Sequence, residues 1–198
     1  MEDFIKPSAL SFAPCAWRSL LETALQKNTA PEHSFAQLAT VRPDGRPANR
    51  TLAYRQCLPD NRLVFTTDTR TEKIQDIAHS PLSELCWYLP TTREQFRISG
   101  RASLVLAPFT GDMAVLAEAL WQARSEASRQ SFTWPSPAER RAEVAAFMQP
   151  VSVAIPPLFA LLLLEPAHVD YLSLATSPHT RSQHARLGRT WTERAVNP

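Results

Sequence analysis

Cations and hydroxyls gather in one stretch of this chain. Arg50-Thr51-Leu52-Ala53-Tyr54-Arg55 is followed by Leu63-Val64-Phe65-Thr66-Thr67-Asp68-Thr69-Arg70-Thr71-Glu72-Lys73. A phosphate monoester carries close to two negative charges and strong acceptor oxygens. Guanidinium, ammonium, hydroxyl and helix N-terminal amide groups are what would hold it. The stretch therefore reads as an anion cradle made from the end of a strand and the start of a helix. The competing reading is a solvated rim whose charges contribute little. No GxSxG, P-loop, GxGxxG or HExxH segment occurs, and the five His residues are not spaced i,i+4, so no metal site is expected.

Periodicity outlines the elements that must position these groups. Pro14 followed by Trp17, Leu20, Leu21, Ala24 and Leu25 has the three-and-four spacing of an amphipathic helix, over about residues 14–29. Residues 34–41 form a mostly apolar run before Arg42-Pro43-Asp44-Gly45, a turn sequence that predicts a hairpin with 49–56 as its return strand. Pro59-Asp60-Asn61 turns the chain again into 62–67, rich in β-branched and aromatic side chains. Thr71 could cap a short helix carrying Ile74, Ile77 and Ala78, which Pro81 ends. Strands are expected at 82–89 and 95–106, the second with Phe96, Ile98, Ala102 and Leu104 on one face. Residues 110–129 and 138–148 read as helices around a Trp134-Pro135-Ser136-Pro137 break, and 158–164, 168–174 and 190–196 as closing strands. Consecutive hairpins of short strands predict an antiparallel barrel, because closure removes exposed edges.

Bulk properties narrow the function classes. The 198 residues fit one domain, with a helical insert at 110–148. A net charge of +2 makes no broad positive field, which argues against nucleic acid as a partner. No apolar run is long enough to cross a bilayer, and Glu2 and Asp3 do not resemble a signal region, so no membrane association is expected. Cys15, Cys57 and Cys86 are odd in number and lack a CxxC pair, which points to a reducing, cytoplasmic setting.

From Arg50 to Ala102 the chain resembles the pyridoxamine 5'-phosphate oxidase family. The features are an Arg-led strand, a Val-Phe-Thr-Thr strand, the Thr71-Glu72-Lys73 helix start, and Glu94-Gln95-Phe96-Arg97-Ile98-Ser99-Gly100. The C-terminal part, from about Leu158 to Pro198, adds a His-x-Arg at His179 and Arg181. The resemblance implies a mainly β protein with helices, an antiparallel split β-barrel, that binds flavin mononucleotide (FMN) at the interface of a homodimer. By position, Arg50 and Lys73 match residues that hold the FMN phosphate, with Thr66, Thr67 and Thr71 beside them. Gln95 matches a contact to the flavin ring, Arg181 a cation reaching FMN, and Tyr171 a Trp against the cofactor. Arg55, Arg124 and Ser128 match side chains that grip a substrate phosphate. His179 and Arg181 match residues beside the reacting carbon.

The departures from the family pattern are specific. Glu72 stands where a basic residue is usual, Ser177 where the oxidases place an Arg over the substrate, and Leu120 or Trp121 where a phosphate-binding Tyr is expected. Trp121-Gln122, Ser125, Arg129 and Trp134-Pro135-x-Pro137 instead match a divergent branch of FMN-binding relatives. The implied function is FMN-dependent oxidation of a small molecule, with or without a phosphate. The alternative is a flavin-binding redox or stress sensor without turnover.

Overall fold

The computed structural model describes residues 15–198, so Glu2, Asp3 and Pro14 lie outside the described residues. Helix α1 (Ala16–Lys27) leads to β1 (Phe35–Val41) and β2 (Pro47–Cys57). They form the expected hairpin: the Arg46 carbonyl accepts from Arg42 N–H, and Gly45 takes a φ of +82°, which a side chain would disfavour. β3 (Leu63–Asp68), α2 (Lys73–His79), β4 (Leu82–Leu89) and β5 (Glu94–Leu106) follow. Then come α3 (Gly111–Gln122), α4 (Glu126–Gln130), β6 (Phe159–Ser173), β7 (Thr180–Leu187) and β8 (Thr190–Val196).

The strands run in the order β3-β2-β1-β4-β5-β6-β7-β8, and β6 also pairs with β3. The first six strands therefore close an antiparallel split barrel, from which β7 and β8 extend. β6 serves both parts: its first half pairs with β3, from Phe159↔Asp68 to Leu164↔Leu63, and its second half pairs with β7, from His168↔Ala185 to Ser173↔Thr180. The two strands expected at 158–164 and 168–174 are thus one. Where β6 crosses Pro166, its register with β5 shifts between Ser99 and Gly100. A Cβ on Gly100 would lie 2.0 Å from the Glu165 carbonyl oxygen, so only glycine fits that approach.

Two apolar layers explain the strand sequences. Inside the barrel, Leu38, Phe65, Leu85, Trp87, Phe96, Ile98, Leu162 and Leu164 are fully buried, and α1 adds Trp17 and Leu21. Outside, Val64, Phe159, Leu161 and Leu163 pack against Leu116 and Trp121 of α3 and against Phe132. The β3–β6 seam is covered on both faces, which is why 158–164 reads as an unbroken apolar run instead of alternating.

The helical expectations needed correction. The helix predicted over 110–129 breaks at 123–125, where the Ser125 side chain accepts the Ser128 N–H and starts α4. Residues 138–148 form no α-helix, only a 3-10 turn at Val144–Phe147. Val144 and Met148 stay exposed, and Phe147 alone meets an aromatic partner, Trp134, at 5.8 Å. Such a segment lacks the apolar face that offsets the cost of helix nucleation. β7 was not expected: Thr-Arg-Ser-Gln-His-Ala-Arg-Leu shows no apolar alternation.

Candidate functional site

The residues read as an anion cradle come together where β2, β3 and α2 meet. Asp68 shapes the connecting turn: its carboxylate accepts from Arg70 N–H at 2.8 Å and from the Arg70 guanidinium, and its carbonyl accepts from the Thr71 hydroxyl at 2.7 Å. Thr71 therefore does not cap α2 with its side chain, as had been expected; Glu72 is the cap residue and makes no side-chain capping bond. The turn frees the Thr71 hydroxyl oxygen for Lys73, whose Nζ donates to it at 2.7 Å and to Thr67 at 3.1 Å. Lys73 is only 8% exposed. Burial, reinforced by the charge of Arg50, brings its pKa down to about 8. Among the described residues no carboxylate lies within ion-pair distance of that ammonium group.

Arg50 stands beside it with a different arrangement. Its Nη2 donates to Asp76 Oδ2 at 3.0 Å and its Nη1 to the Thr40 hydroxyl at 2.6 Å, while Thr40 donates to the same Asp76 oxygen at 2.7 Å. Thr40 and Asp76 are each 2% exposed. Neither was singled out in the sequence, although Lys73 and Asp76 at a spacing of three share a helix face. Arg70, which could have compensated for Glu72, is occupied by Asp68 and by the Trp134 carbonyl, and Glu72 itself meets Arg42 at 3.7 Å.

Thr66 does not join this cradle. Consecutive strand residues face opposite sides, so Thr66 points outward and accepts from Arg124 Nη1 at 2.8 Å. The Arg124 guanidinium lies 5.0 Å from the Phe132 ring centre, and its Nε is buried without a partner. It pairs with neither Glu118 nor Glu126; Glu118 instead accepts from Gln122. Burial, and after it the charge of nearby Arg55, lower its pKa to about 10. Arg55 enters through the irregularity between Tyr54 and Gln56, where β2 slips against β3; such bulges re-aim a side chain. Arg55, Thr66 and Arg124 thus make a second cationic cluster. Ser128 sits in the first turn of α4, where its N–H is used by Ser125.

The remaining predicted residues divide between the two faces of the sheet. Gln95 and Arg181 both pair with Leu172, from opposite sides, and share the outward face. Arg181 makes a two-pronged ion pair with Asp170, at 2.8 Å for both Nε and Nη2. Tyr171 pairs with Phe96 and so faces the core side; its hydroxyl donates to Glu94 at 2.6 Å, and burial with this partner raises its pKa to about 12. His179 Nδ1 lies 2.7 Å from the exposed Thr176 carbonyl. No hydrogen bond among the described residues links this group to the cradle.

The donor set suits a phosphorylated ligand. Hydroxyls rather than a carboxylate hold Lys73, so its charge has no ion-pair partner among the described residues. The arrangement defines a class: an antiparallel split barrel with a buried cationic cluster at a strand-to-helix turn.

Comparison with known proteins places the chain more closely. A family model described as pyridoxamine 5'-phosphate oxidase, FMN-binding domain, matches residues 14–106. The chain is 37% identical over 193 residues to pyridoxine/pyridoxamine 5'-phosphate oxidase 2 of Arabidopsis thaliana, covering 92% of this chain and 96% of that one. It is 30% identical over 145 residues to the pyridoxine/pyridoxamine 5'-phosphate oxidase of Chromobacterium violaceum, covering 71% and 67%. The crystal structure of a pyridoxamine 5'-phosphate oxidase-related, FMN binding protein from Nostoc punctiforme superposes with a TM-score of 0.87 at 40% identity, covering 94% of this chain and 100% of that one. The chain belongs to the pyridoxamine 5'-phosphate oxidase family.

Proposed function

We propose that the protein is an FMN-dependent oxidoreductase of the pyridoxamine 5'-phosphate oxidase type, working as a homodimer on a small phosphorylated molecule. The observation that carries this reading is the buried Lys73 ammonium, held by two threonine hydroxyls and left without a carboxylate. When bound, FMN would supply the redox chemistry, accepting a hydride from the substrate and releasing electrons to oxygen or another acceptor.

In this reading Arg50, Thr67, Thr71 and Lys73 hold the cofactor phosphate. Gln95 and Arg181 serve the ring side, and Tyr171 supports them from the inner face. Arg55 and Arg124 grip the substrate phosphate with Ser128, while Thr66, bonded to Arg124, aims its guanidinium. His179 and Arg181 stand beside the reacting carbon. The outward face of β1 and β4 exposes Phe35, Leu82 and Tyr88, and it is the surface proposed to meet a second copy. Three free thiols support a reducing, cytoplasmic setting. No helix among the described residues is long and apolar enough to cross a membrane.

The absorption spectrum of the purified protein tests cofactor binding: FMN's yellow bands are expected, and a colourless protein that ignores added FMN would sink the reading. Oxygen-dependent formation of pyridoxal 5'-phosphate from pyridoxamine 5'-phosphate tests the reaction. Ser177, where the oxidases place an Arg, favours a second reading of flavin binding without turnover. It predicts a loaded flavin that no amine or nicotinamide donor reduces.

A further inference from the structure

Arg50 has five N–H donors. Nη1 spends its donors on the Thr40 hydroxyl at 2.6 Å and, weakly, on the Leu38 carbonyl at 3.4 Å; Nη2 spends one on Asp76 at 3.0 Å. The Nε–H and the second Nη2–H make no hydrogen bond among the described residues. Two such donors on one guanidinium match the two-pronged fork that recognises a phosphate. The bonds that remain form a closed ring: Arg50 to Thr40, Arg50 to Asp76, and Thr40 to Asp76 at 2.7 Å. The ring joins three elements, β1, β2 and α2, and its carboxylate is 2% exposed. Asp76 also lies one turn along α2 from Lys73, so the same helix that carries the ammonium carries the anchor for the guanidinium.

We infer that Asp76, braced by Thr40, is a positioning residue of the anion cradle: it holds one edge of the Arg50 guanidinium so that the other edge meets the phosphate. This rests on the FMN reading above. Asp76 touches no ligand in this account, and it brings a negative charge close to an anion site. An ion pair serving only to pin α2 to the barrel would reach the phosphate through Lys73; a positioning role reaches it through Arg50 and persists when Lys73 is removed.

The test compares FMN with riboflavin, which carries the same ring without the phosphate, in the full-length protein. Asp76→Asn and Thr40→Val are expected to weaken FMN about tenfold, the worth of one hydrogen bond to a charged group, and to leave riboflavin affinity unchanged. Thr40→Ser should restore FMN binding. In an Arg50→Ala background, Asp76→Asn should cause no further loss, because nothing is left to position. Equal weakening of FMN and riboflavin, or a loss that disappears in a Lys73→Ala background, would overturn the inference and leave a structural ion pair; a further tenfold loss without Arg50 would overturn it by showing that Asp76 acts apart from Arg50. If Asp76→Asn fails to fold, Thr40→Val and its Ser rescue carry the same comparison. A wild-type protein that binds neither flavin would instead defeat the FMN reading, an outcome distinct from intact FMN binding that ignores Asp76 and Thr40.

Discussion

The two cation clusters on either side of β3 use the same residue types under opposite rules. In the cradle, the Arg50 charge is answered by a buried carboxylate, Asp76, and a second cation, Lys73, is added beside the pair. On the outer side, Arg124 has a threonine hydroxyl and an aromatic ring for company, with Arg55 nearby and no carboxylate. A compensated cation contributes to folding whether or not a ligand is present. An uncompensated one costs stability until an anion arrives, because burial penalises a charge that nothing pairs. The contrast separates Arg50, whose charge is answered within the fold, from Arg124 and Lys73, whose charges are met by hydroxyls rather than a carboxylate.

The contrast can be broken most forcefully at Lys73. Lys73→Ala should weaken FMN by about 2 to 5 kcal/mol, the cost of losing a desolvated charge partner, read by quenching of flavin fluorescence; unchanged affinity would show that the cradle lies elsewhere. Arg50→Met should lower folding stability in urea by about 3 kcal/mol, since the buried Asp76 charge would lose its ion-pair partner and keep only the Thr40 hydroxyl.

A pH series sharpens the difference next. The ligand-free Lys73 ammonium loses its proton near pH 8, and a phosphate prefers the protonated form. FMN affinity should hold steady below about pH 8 and fall above it, by at most about tenfold per unit. The effect should vanish in Lys73→Met. The ligand-free protein should behave in the opposite sense. Above about pH 8 its unfolded chain still binds the proton that the folded chain has released, so stability contributed by this group rises until the ordinary lysine range is reached.

The smallest effect has the reverse sign. Arg124→Met should stabilise the ligand-free protein by about 1 kcal/mol, because it removes a buried charge and keeps apolar contact with Phe132. The same change should abolish any thermal protection by pyridoxamine 5'-phosphate. A destabilised Arg124→Met variant would show that the outer cluster is compensated after all.

Much of the barrel could be read from residue order. Apolar and β-branched runs bounded by turn residues at Arg42-Pro43-Asp44-Gly45 and Pro59-Asp60-Asn61 located β1 to β3, because burial and turn chemistry leave local marks. β7 left none, since its partners β6 and β8 support it through backbone pairing while its side chains stay polar. The 138–148 stretch misled for the converse reason: its residues favour helix, yet apart from Phe147 against Trp134 its large apolar side chains Val144 and Met148 stay exposed.

The site was legible as a set of residue types and less so as an arrangement. Arg50, Thr67, Thr71 and Lys73 do converge. Thr66 was grouped with them even though adjacency in a strand already places it on the other face. Asp76 went unnoticed because a lone acid on a short helix has meaning only once Thr40 and Arg50 arrive from distant strands.

Thr66 and Thr67 are joined by a single peptide unit, and that unit lies in the seam where β3 is hydrogen-bonded to β6, at Leu161 and Ala160. Each hydroxyl answers to a different cluster. The gap between the two cationic clusters is accordingly gauged by the thickness of one strand clamped in a dry wall, rather than by the reach of loops. If the two clusters hold the cofactor and substrate phosphates as proposed, that pair is measured against a fixed ruler, and a substrate of the wrong span gains nothing from flexibility elsewhere in the chain.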